Sequence, residues 1–238
     1  MLEVSFFMGV IKELPSNEKP REKALQFGIR TLSNRELLSI VIRHGAKGLS
    51  ALEVADCIIE KAGGIAGIER MDISSLQTIP GIQKVKALEL KACFELSRRA
   101  AYENVKNVNI LDSPEKVASW LMKEIGGLLQ ENFLVIYLDI NNHMIGYKIH
   151  FVGTLNAASV YPREVIKEAL LLSSTKILLV HNHPSGNLEP SVADIKITEK
   201  ICNSAELLDI QVLDHIIVSQ RDYFSFSRNG LMDRISVL

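Results

Sequence analysis

Apolar residues recur every three or four positions from Arg21 to Ala101, which is the spacing of amphipathic helices. Ser33 stands three residues before Glu36, and this pair forms a capping-box pattern ahead of an apolar run. Ser50 and Glu53 repeat the pattern ahead of a second run. No segment in this stretch shows the alternation of a strand, so the pattern predicts a small all-α unit.

Beyond Ser113 the chain changes to a mixture of helical periods and short apolar runs rich in β-branched residues. In chain order the pattern predicts a helix at 113–125, strands at 133–138 and 144–152, a helix at 162–172, a strand at 177–180, a helix at 195–208, and strands at 211–218 and 223–226. Because regular βαβ alternation is absent, we expect an α+β (mixed α/β) domain with helices packed on one sheet. The polar stretch 102–112 lacks a clear period, and we place the domain boundary there, between residues 1–106 and 107–238.

The composition is that of an ordinary soluble protein. The 238 residues are 47% hydrophobic and 23% charged, and the formal net charge is −1, which excludes a chain that binds nucleic acid through its overall charge. Cys57, Cys93 and Cys202 are far apart, so no disulfide framework is expected and a reducing cytoplasm is the expected location. The opening residues lack a basic leader and no apolar run approaches the length of a membrane span, so we expect neither a signal peptide nor a membrane partner.

The candidate chemistry follows an apolar, β-rich run. His181 and His183 come directly after this run, and residues two apart in a strand point to the same side, so both imidazoles are expected to project together. Ser191 and Asp194 then open a helical pattern. Two imidazoles and one carboxylate form a three-ligand set with an open fourth position, which is the layout of a catalytic zinc site, although the set also accepts other divalent metals. Ser191 and Asp194 are equally an N-cap pair, and the two roles are compatible.

The full spacing, His-x-His, seven residues, Ser, two residues and Asp, resembles the JAMM motif of the MPN/JAB metalloprotease fold. The segments GTLNA at 153–157, PRE at 162–164, HNHPSG at 181–186 and DH at 214–215 resemble the RadC family. The resemblance covers residues 21–238. It implies an MPN/JAB-like, cytidine-deaminase-like sheet with packed helices, and one zinc ion per chain held by His181, His183 and Asp194.

The resemblance also implies a catalytic glutamate at the start of the strand that follows the second domain's first helix. Glu131 occupies that position and would act as general base and then as general acid. Without the resemblance, Glu131 would be interpreted as a solvated charge at the entrance of a strand. Glu164 is the competing candidate, and its other role would be to pair with Arg163. The resemblance also implies that Ser191 forms a hydrogen bond with the developing oxyanion or with the metal-bound water. We interpret His215 as a strand residue whose hydrogen bonds are satisfied within the fold. The second interpretation is that it supports the metal site from outside the ligand set.

Residues 76–87 resemble a helix–hairpin–helix, in which hairpin amides bind a DNA phosphate. The family pattern at the hairpin is Gly-apolar-Gly. Gly81 matches the first glycine, but Gln83 replaces the second, and its side chain would obstruct the close approach of a phosphate. Lys84 and Lys86 keep the segment basic, so Gly81, Lys84 and Lys86 are the candidate contacts for nonspecific DNA binding. A small protein-interaction module is an equally good interpretation of this domain.

The sequence leads to two hypotheses from different functional classes. The first is a zinc-dependent metallopeptidase or isopeptidase that acts on a peptide or protein substrate through metal-activated water. The second, which follows from the RadC resemblance, is a DNA repair or recombination factor whose MPN domain is accessory. A metal-dependent nuclease is weaker, because the paired carboxylates of two-metal chemistry are not evident. The sequence leaves the substrate and the oligomeric state open.

Overall fold

A computed structural model describes residues 18–106, 108–153 and 160–235. The chain divides into two compact units between Leu96 and Ser97, inside one long helix and earlier than the boundary placed after residue 106. The apolar opening of the chain, and residues 154–157 of the segment that carries the RadC resemblance, lie outside the described residues.

The first unit is helical, as the apolar spacing predicts. Its helices are α1 (Pro20–Phe27), α2 (Asn34–Ile42), α3 (Ala51–Ala62), α4 (Ile65–Arg70), α5 (Ile73–Gln77) and the first part of α6 (Lys84–Lys106). Both predicted capping boxes are present, at the starts of α2 and α3. Val54, Ile58 and Leu90 are fully or almost fully buried in the core that these helices share.

Helix α6 continues to Lys106, so the prediction that it ends at Ala101 and gives way to an irregular stretch is wrong for residues 102–106. Ala101 and Val105 are buried in the core of the second unit, and Tyr102 packs against that core. Tertiary burial stabilises these last turns although their polar positions blur the apolar period.

The second unit is a five-stranded mixed sheet with helices, which confirms the predicted α+β class. Its elements are α7 (Pro114–Leu121), a π-helical turn (Met122–Gly126), β1 (Asn132–Leu138), β2 (Met144–Val152), α8 (Pro162–Leu171), β3 (Lys176–Asn182), α9 (Val192–Glu206), β4 (Gln211–Val218), β5 (Tyr223–Ser225) and α10 (Leu231–Ile235), the last of which the sequence pattern did not predict. The strand order is β2-β1-β3-β4-β5, and β3 and β4 are parallel while the other neighbours are antiparallel. None of the helices formed by the described residues combines the length and the apolar character that crossing a bilayer requires.

The sheet separates two apolar cores. Leu134 and Val180 belong to the core that includes α7, whereas Phe133 and Leu179 belong to the core that includes α8 and α9. Because side chains alternate along a strand, the odd-numbered residues of β1 and β3 face α8 and α9. The histidine strand presents its candidate ligands on this second face.

Candidate metal centre

The sheet register brings the upstream glutamate to the histidines. Strands β1 and β3 are antiparallel, and Phe133 in β1 pairs with His181 in β3. Two residues before Phe133 and two residues after His181, the same register places Glu131 opposite His183. Strand β3 runs through His181, beyond the end predicted at residue 180. Residues two apart share a face, so Glu131, His181 and His183 are all directed toward the side of the sheet that α9 covers.

Three candidate ligands converge at the end of β3. Nε2 of His181 is 2.9 Å from Nε2 of His183 and 3.2 Å from Oδ1 of Asp194, and Nε2 of His183 is 3.6 Å from Oδ2 of Asp194. His181 and Asp194 are buried, whereas His183 is only partly buried, so the cluster is reached from one side. Within the described residues it is the one group of His, Cys, Asp and Glu side chains with the geometry to hold a metal ion.

A chain of hydrogen bonds determines which nitrogen of His181 carries its proton. The hydroxyl of Thr198 donates to the backbone oxygen of Asp194 at 2.6 Å, so its oxygen is left to accept from Nδ1 of His215, also at 2.6 Å. Neutral His215 then accepts through Nε2 from Nδ1 of His181, at 2.8 Å. The Nε2 lone pair of His181 is therefore directed at His183 and Asp194, which is the form that binds a metal.

His183 has the same arrangement on the exposed side of the cluster. The chain turns directly after it, and the amide of Gly186 donates to the carbonyl of His183 at 3.0 Å. This turn brings the carbonyl oxygen of Asn187 to Nδ1 of His183. Because a carbonyl only accepts, Nδ1 carries the proton and Nε2 faces inward. Two imidazole nitrogens and a carboxylate thus point at one another, and a metal ion or a shared proton among them would relieve their repulsion.

The ionisation of the cluster suits metal binding. Burial lowers the pKa of His181 and lowers the pKa of His215 well below its usual range, so both imidazoles are neutral at physiological pH. A hydrogen bond to Asp194 raises the pKa of His183. Burial alone raises the pKa of Asp194, but its contacts with His181 and His183 outweigh burial and hold that pKa far below its usual range. The cluster therefore keeps an ionised carboxylate beside a neutral buried imidazole.

A β-bulge places His215 on the correct face of the sheet. Ile177 pairs with Val212, but the next residue, Leu178, pairs with Asp214, so β4 contains one extra residue at this point. Uninterrupted alternation from Val212 would direct Asp214 toward α9. The extra residue shifts the alternation of side chains by one position, so His215, and not Asp214, is directed toward α9. Of the two interpretations of His215, the second, support of the site, fits the structure better, because His215 contacts a candidate ligand directly.

Asp194 is both a helix cap and a candidate ligand. Its carboxylate accepts the amide hydrogen of Ser191 at 2.7 Å, and the hydroxyl of Ser191 accepts the amide hydrogen of Asp194 at 3.2 Å. The local capping signal therefore fixes the start of α9 and the position of the carboxylate together. Ser191 uses an oxygen lone pair in this cap and keeps its hydroxyl hydrogen for another acceptor.

The two competing glutamates lie in different surroundings. Glu131 is half-buried, and its charge acts on both His181 and His183, where it opposes deprotonation. Glu164 is on α8, where its carboxylate is 3.3 Å from the guanidinium of Arg163. Of the two glutamates, Glu131 is the one whose charge acts on both histidines.

Asn182, between the two histidines, holds the segment that leads to Glu131. Its Oδ1 accepts the amide hydrogen of Asn132 at 2.7 Å, and its Nδ2 donates to the carbonyls of Leu128 at 3.3 Å and Gln130 at 3.0 Å. Asn182 is fully buried and Asn132 nearly so. The side chain therefore joins the end of β3 to the approach of β1 with three hydrogen bonds.

Replacing Asn182 by alanine is expected to destabilise the second unit by about 1–3 kcal/mol, because buried donors and acceptors lose their partners. Trp120 is the single tryptophan and is buried in that unit, so its fluorescence during urea unfolding reports the change. The matched control is Asn203→Ala at an exposed position of α9, with an expected change within about 0.5 kcal/mol. Equal midpoints for the two variants would show that these hydrogen bonds do not stabilise the fold.

The three candidate DNA contacts have different surroundings in the first unit. The ammonium of Lys86 donates to the carbonyls of His44 and Gly81, at 2.5 and 3.0 Å. A Cβ added at Gly81, whose φ is +84°, would lie 2.8 Å from Cβ of Ala46, so close packing accounts for this glycine. Lys84 is exposed. DNA binding by this unit stays a prediction, and Lys84 is the contact with the most accessible charge.

Two known protein families match most of the chain. Residues 111–231 match the RadC-like JAB domain, and residues 11–88 match the UPF0758 N-terminal family. A UPF0758 protein of Shouchella clausii is 39% identical over 227 residues, which cover 95% of this chain and 99% of the relative. The chain belongs to the RadC-like UPF0758 family. A UPF0758 protein of Leptothrix cholodnii is 40% identical over 93% of this chain and 100% of the relative. A UPF0758 protein of Desulfitobacterium hafniense is 38% identical over 93% of this chain and 98% of the relative.

Membership confirms the RadC resemblance predicted from the histidine motif. The match to the JAB domain contains His181, His183 and Asp194, together with Glu131 and His215. The relatives share the family name UPF0758, which states no reaction, so the chemistry of this RadC-like chain has to be argued from the site itself.

Proposed function

We propose that this RadC-like chain is a zinc-dependent metallohydrolase that cleaves peptide or isopeptide bonds. The observation that carries the proposal is the convergence of two imidazole lone pairs and one carboxylate at the end of β3. Such a set, with an open side, is typical of catalytic rather than structural zinc sites.

The distances between the donor atoms fit a zinc ion. A tetrahedral site with metal–ligand distances of about 2.0–2.1 Å has donor–donor edges of about 3.3 Å. The Nε2 atoms of His181 and His183 are 2.9 Å apart, and they lie 3.2 and 3.6 Å from the two different carboxylate oxygens of Asp194. One ligand atom from each residue can be chosen so that all three lie within 4.8 Å of one another. Two nitrogens and one oxygen also suit zinc better than they suit magnesium or calcium, which prefer oxygen ligands.

The surrounding residues are suited to hydrolysis. When bound, zinc would lower the pKa of a coordinated water and polarise the substrate carbonyl. Glu131 would take a proton from the attacking water and deliver it to the leaving amine. Ser191 would donate its remaining hydroxyl hydrogen to the developing oxyanion. Thr198 and His215 hold His181 in the tautomer that this role needs.

The experiment that tests the reaction is a cleavage screen of the zinc-loaded chain against two substrate sets. One set is a library of linear peptides with lysine-linked isopeptides, and the other is duplex and single-stranded DNA. Mass spectrometry is expected to show cleaved amide bonds that chelation abolishes and added zinc restores. Cleavage confined to DNA would overturn the peptidase assignment and favour the nuclease.

Replacing His215 by phenylalanine is expected to weaken zinc binding by about 10–100-fold, since groups that orient a ligand contribute this much to metal affinity. Phenylalanine keeps the ring volume beside Phe133 and Phe226, whose centroids lie 5.6 and 4.7 Å from that of His215. The measurement is competition for zinc against a chromogenic chelator. An unchanged affinity would show that the hydrogen bond to His181 does not orient it.

A further inference from the structure

An apolar groove lies on the outer side of the helices α8 and α9, in the second unit. Its volume is about 700 Å³, and four leucines line it, with exposed fractions of 56%, 70%, 85% and 48%. These residues are Leu170, Leu171, Leu207 and Leu208. Isolated exposed leucines are ordinary on a soluble protein, but four that line one groove form the kind of patch that marks an interaction surface.

The packing of the second unit does not account for these leucines. Helix α8 buries Val165, Ile166 and Ala169 against the sheet, which is its core-facing stripe. Leu170 and Leu171 lie outside that stripe, and Leu207 and Leu208 follow the end of α9. The fold thus has an inner apolar surface that closes its core and an outer one that no described part of the chain buries.

The charges around the groove are mixed in a way that suits a second copy of the same surface. Lys167 and Arg163 line the groove on the α8 side, and the guanidinium of Arg163 is also 3.3 Å from the carboxylate of Glu164. Glu206 and Asp209 are exposed and flank the two leucines at the end of α9. A partner of one sign would meet like charges on one flank, whereas a copy related by a two-fold axis that runs along the groove, between its flanks, brings the basic flank against the acidic one. The net charge of −1 also leaves little overall repulsion between copies.

We propose that this groove is the interface through which two copies of the chain form a symmetric dimer. Around a two-fold axis through the groove, leucines pack on leucines, and Lys167 of each copy faces the acidic end of α9 in the other. The proposal is independent of the metal chemistry, because it involves none of the candidate ligands.

The dimer leaves the metal centre accessible. Helix α8 ends just before β3 begins at Lys176, and α9 ends just before the parallel strand β4 begins at Gln211. The leucines therefore lie near the starting ends of these strands, while His181 lies near the finishing end of β3. A substrate can reach the histidines while the groove is covered.

The test is the solution mass of the full-length chain and of three variants, measured by light scattering during size-exclusion chromatography at tens of micromolar. The unchanged chain is expected at twice the mass of 26.5 kDa, and Leu171→Glu and Leu207→Glu are expected at 26.5 kDa. Ile140→Glu, at a position 67% exposed in the β1–β2 turn, is the matched control and is expected to remain dimeric.

Circular dichroism establishes that the variants are folded, and a serine at the same position replaces any glutamate that prevents folding. A monomeric unchanged chain overturns the proposal, and so does a dimer that both leucine variants retain. If the chain's own first residues or its first unit covered the groove in solution, the unchanged chain would be monomeric, and this result would also overturn the proposal.

Discussion

The His181→Ala protein is expected to retain less than about 0.1 zinc ion per chain, against about one for the unchanged protein, because two remaining ligands do not make a zinc site. His181 is the candidate ligand most firmly held: it is fully buried, and His215 fixes its tautomer. Elemental analysis after dialysis against trace zinc gives the ratio. A zinc content unchanged by the substitution would contradict the assignment.

The control for this result is His44→Ala, which removes an exposed imidazole from the first unit. A second readout separates lost binding from lost folding. Zinc at about 100 times its dissociation constant stabilises a protein that binds it only when folded by about 2.7 kcal/mol. Added zinc should therefore raise the unfolding temperature of the unchanged chain and of His44→Ala, and leave that of folded His181→Ala where it was.

Glu131→Gln is expected to lower turnover by about 10²–10⁴-fold, the range that general acid–base catalysis contributes. Zinc content should not change, because Glu131 is not among the converging ligands. Glutamine keeps the size and polarity of the side chain but cannot take a proton. The measurement is kcat on the peptide that the zinc-loaded chain cleaves best.

Glu164→Gln is the matched control for that experiment, since it makes the same change on α8 beside Arg163. It is expected to keep the turnover of the unchanged chain. The reverse outcome, an inactive Glu164→Gln and an active Glu131→Gln, would transfer the proton-exchanging role to Glu164. Loss of zinc from Glu131→Gln would instead make Glu131 a fourth ligand.

Much of the candidate site could be predicted because its signals are local. The two histidines are two residues apart on a strand, so they share a face whatever the rest of the fold does. The capping box of Ser191 and Asp194 starts α9 and aims the carboxylate from within four residues. The strands also followed from short apolar runs, which explains why the α+β class was predicted correctly.

The parts that were missed depend on distant segments. His215 faces the site only because one residue of β4 bulges, and no local pattern distinguishes this register from the unbulged one. Asn182 holds the approach to Glu131 from fifty residues away, and its type alone suggests a turn rather than a buried anchor. Lys86 looked available for DNA until the fold brought the carbonyls of the first unit to its ammonium.

The most direct test of the metal centre is an anomalous difference map at the zinc absorption edge, from crystals of the full-length chain grown with zinc. The site predicts one strong peak about 2.0–2.2 Å from Nε2 of His181, Nε2 of His183 and a carboxylate oxygen of Asp194. Zinc bound only at other side chains, with these three still in contact with one another, would contradict it.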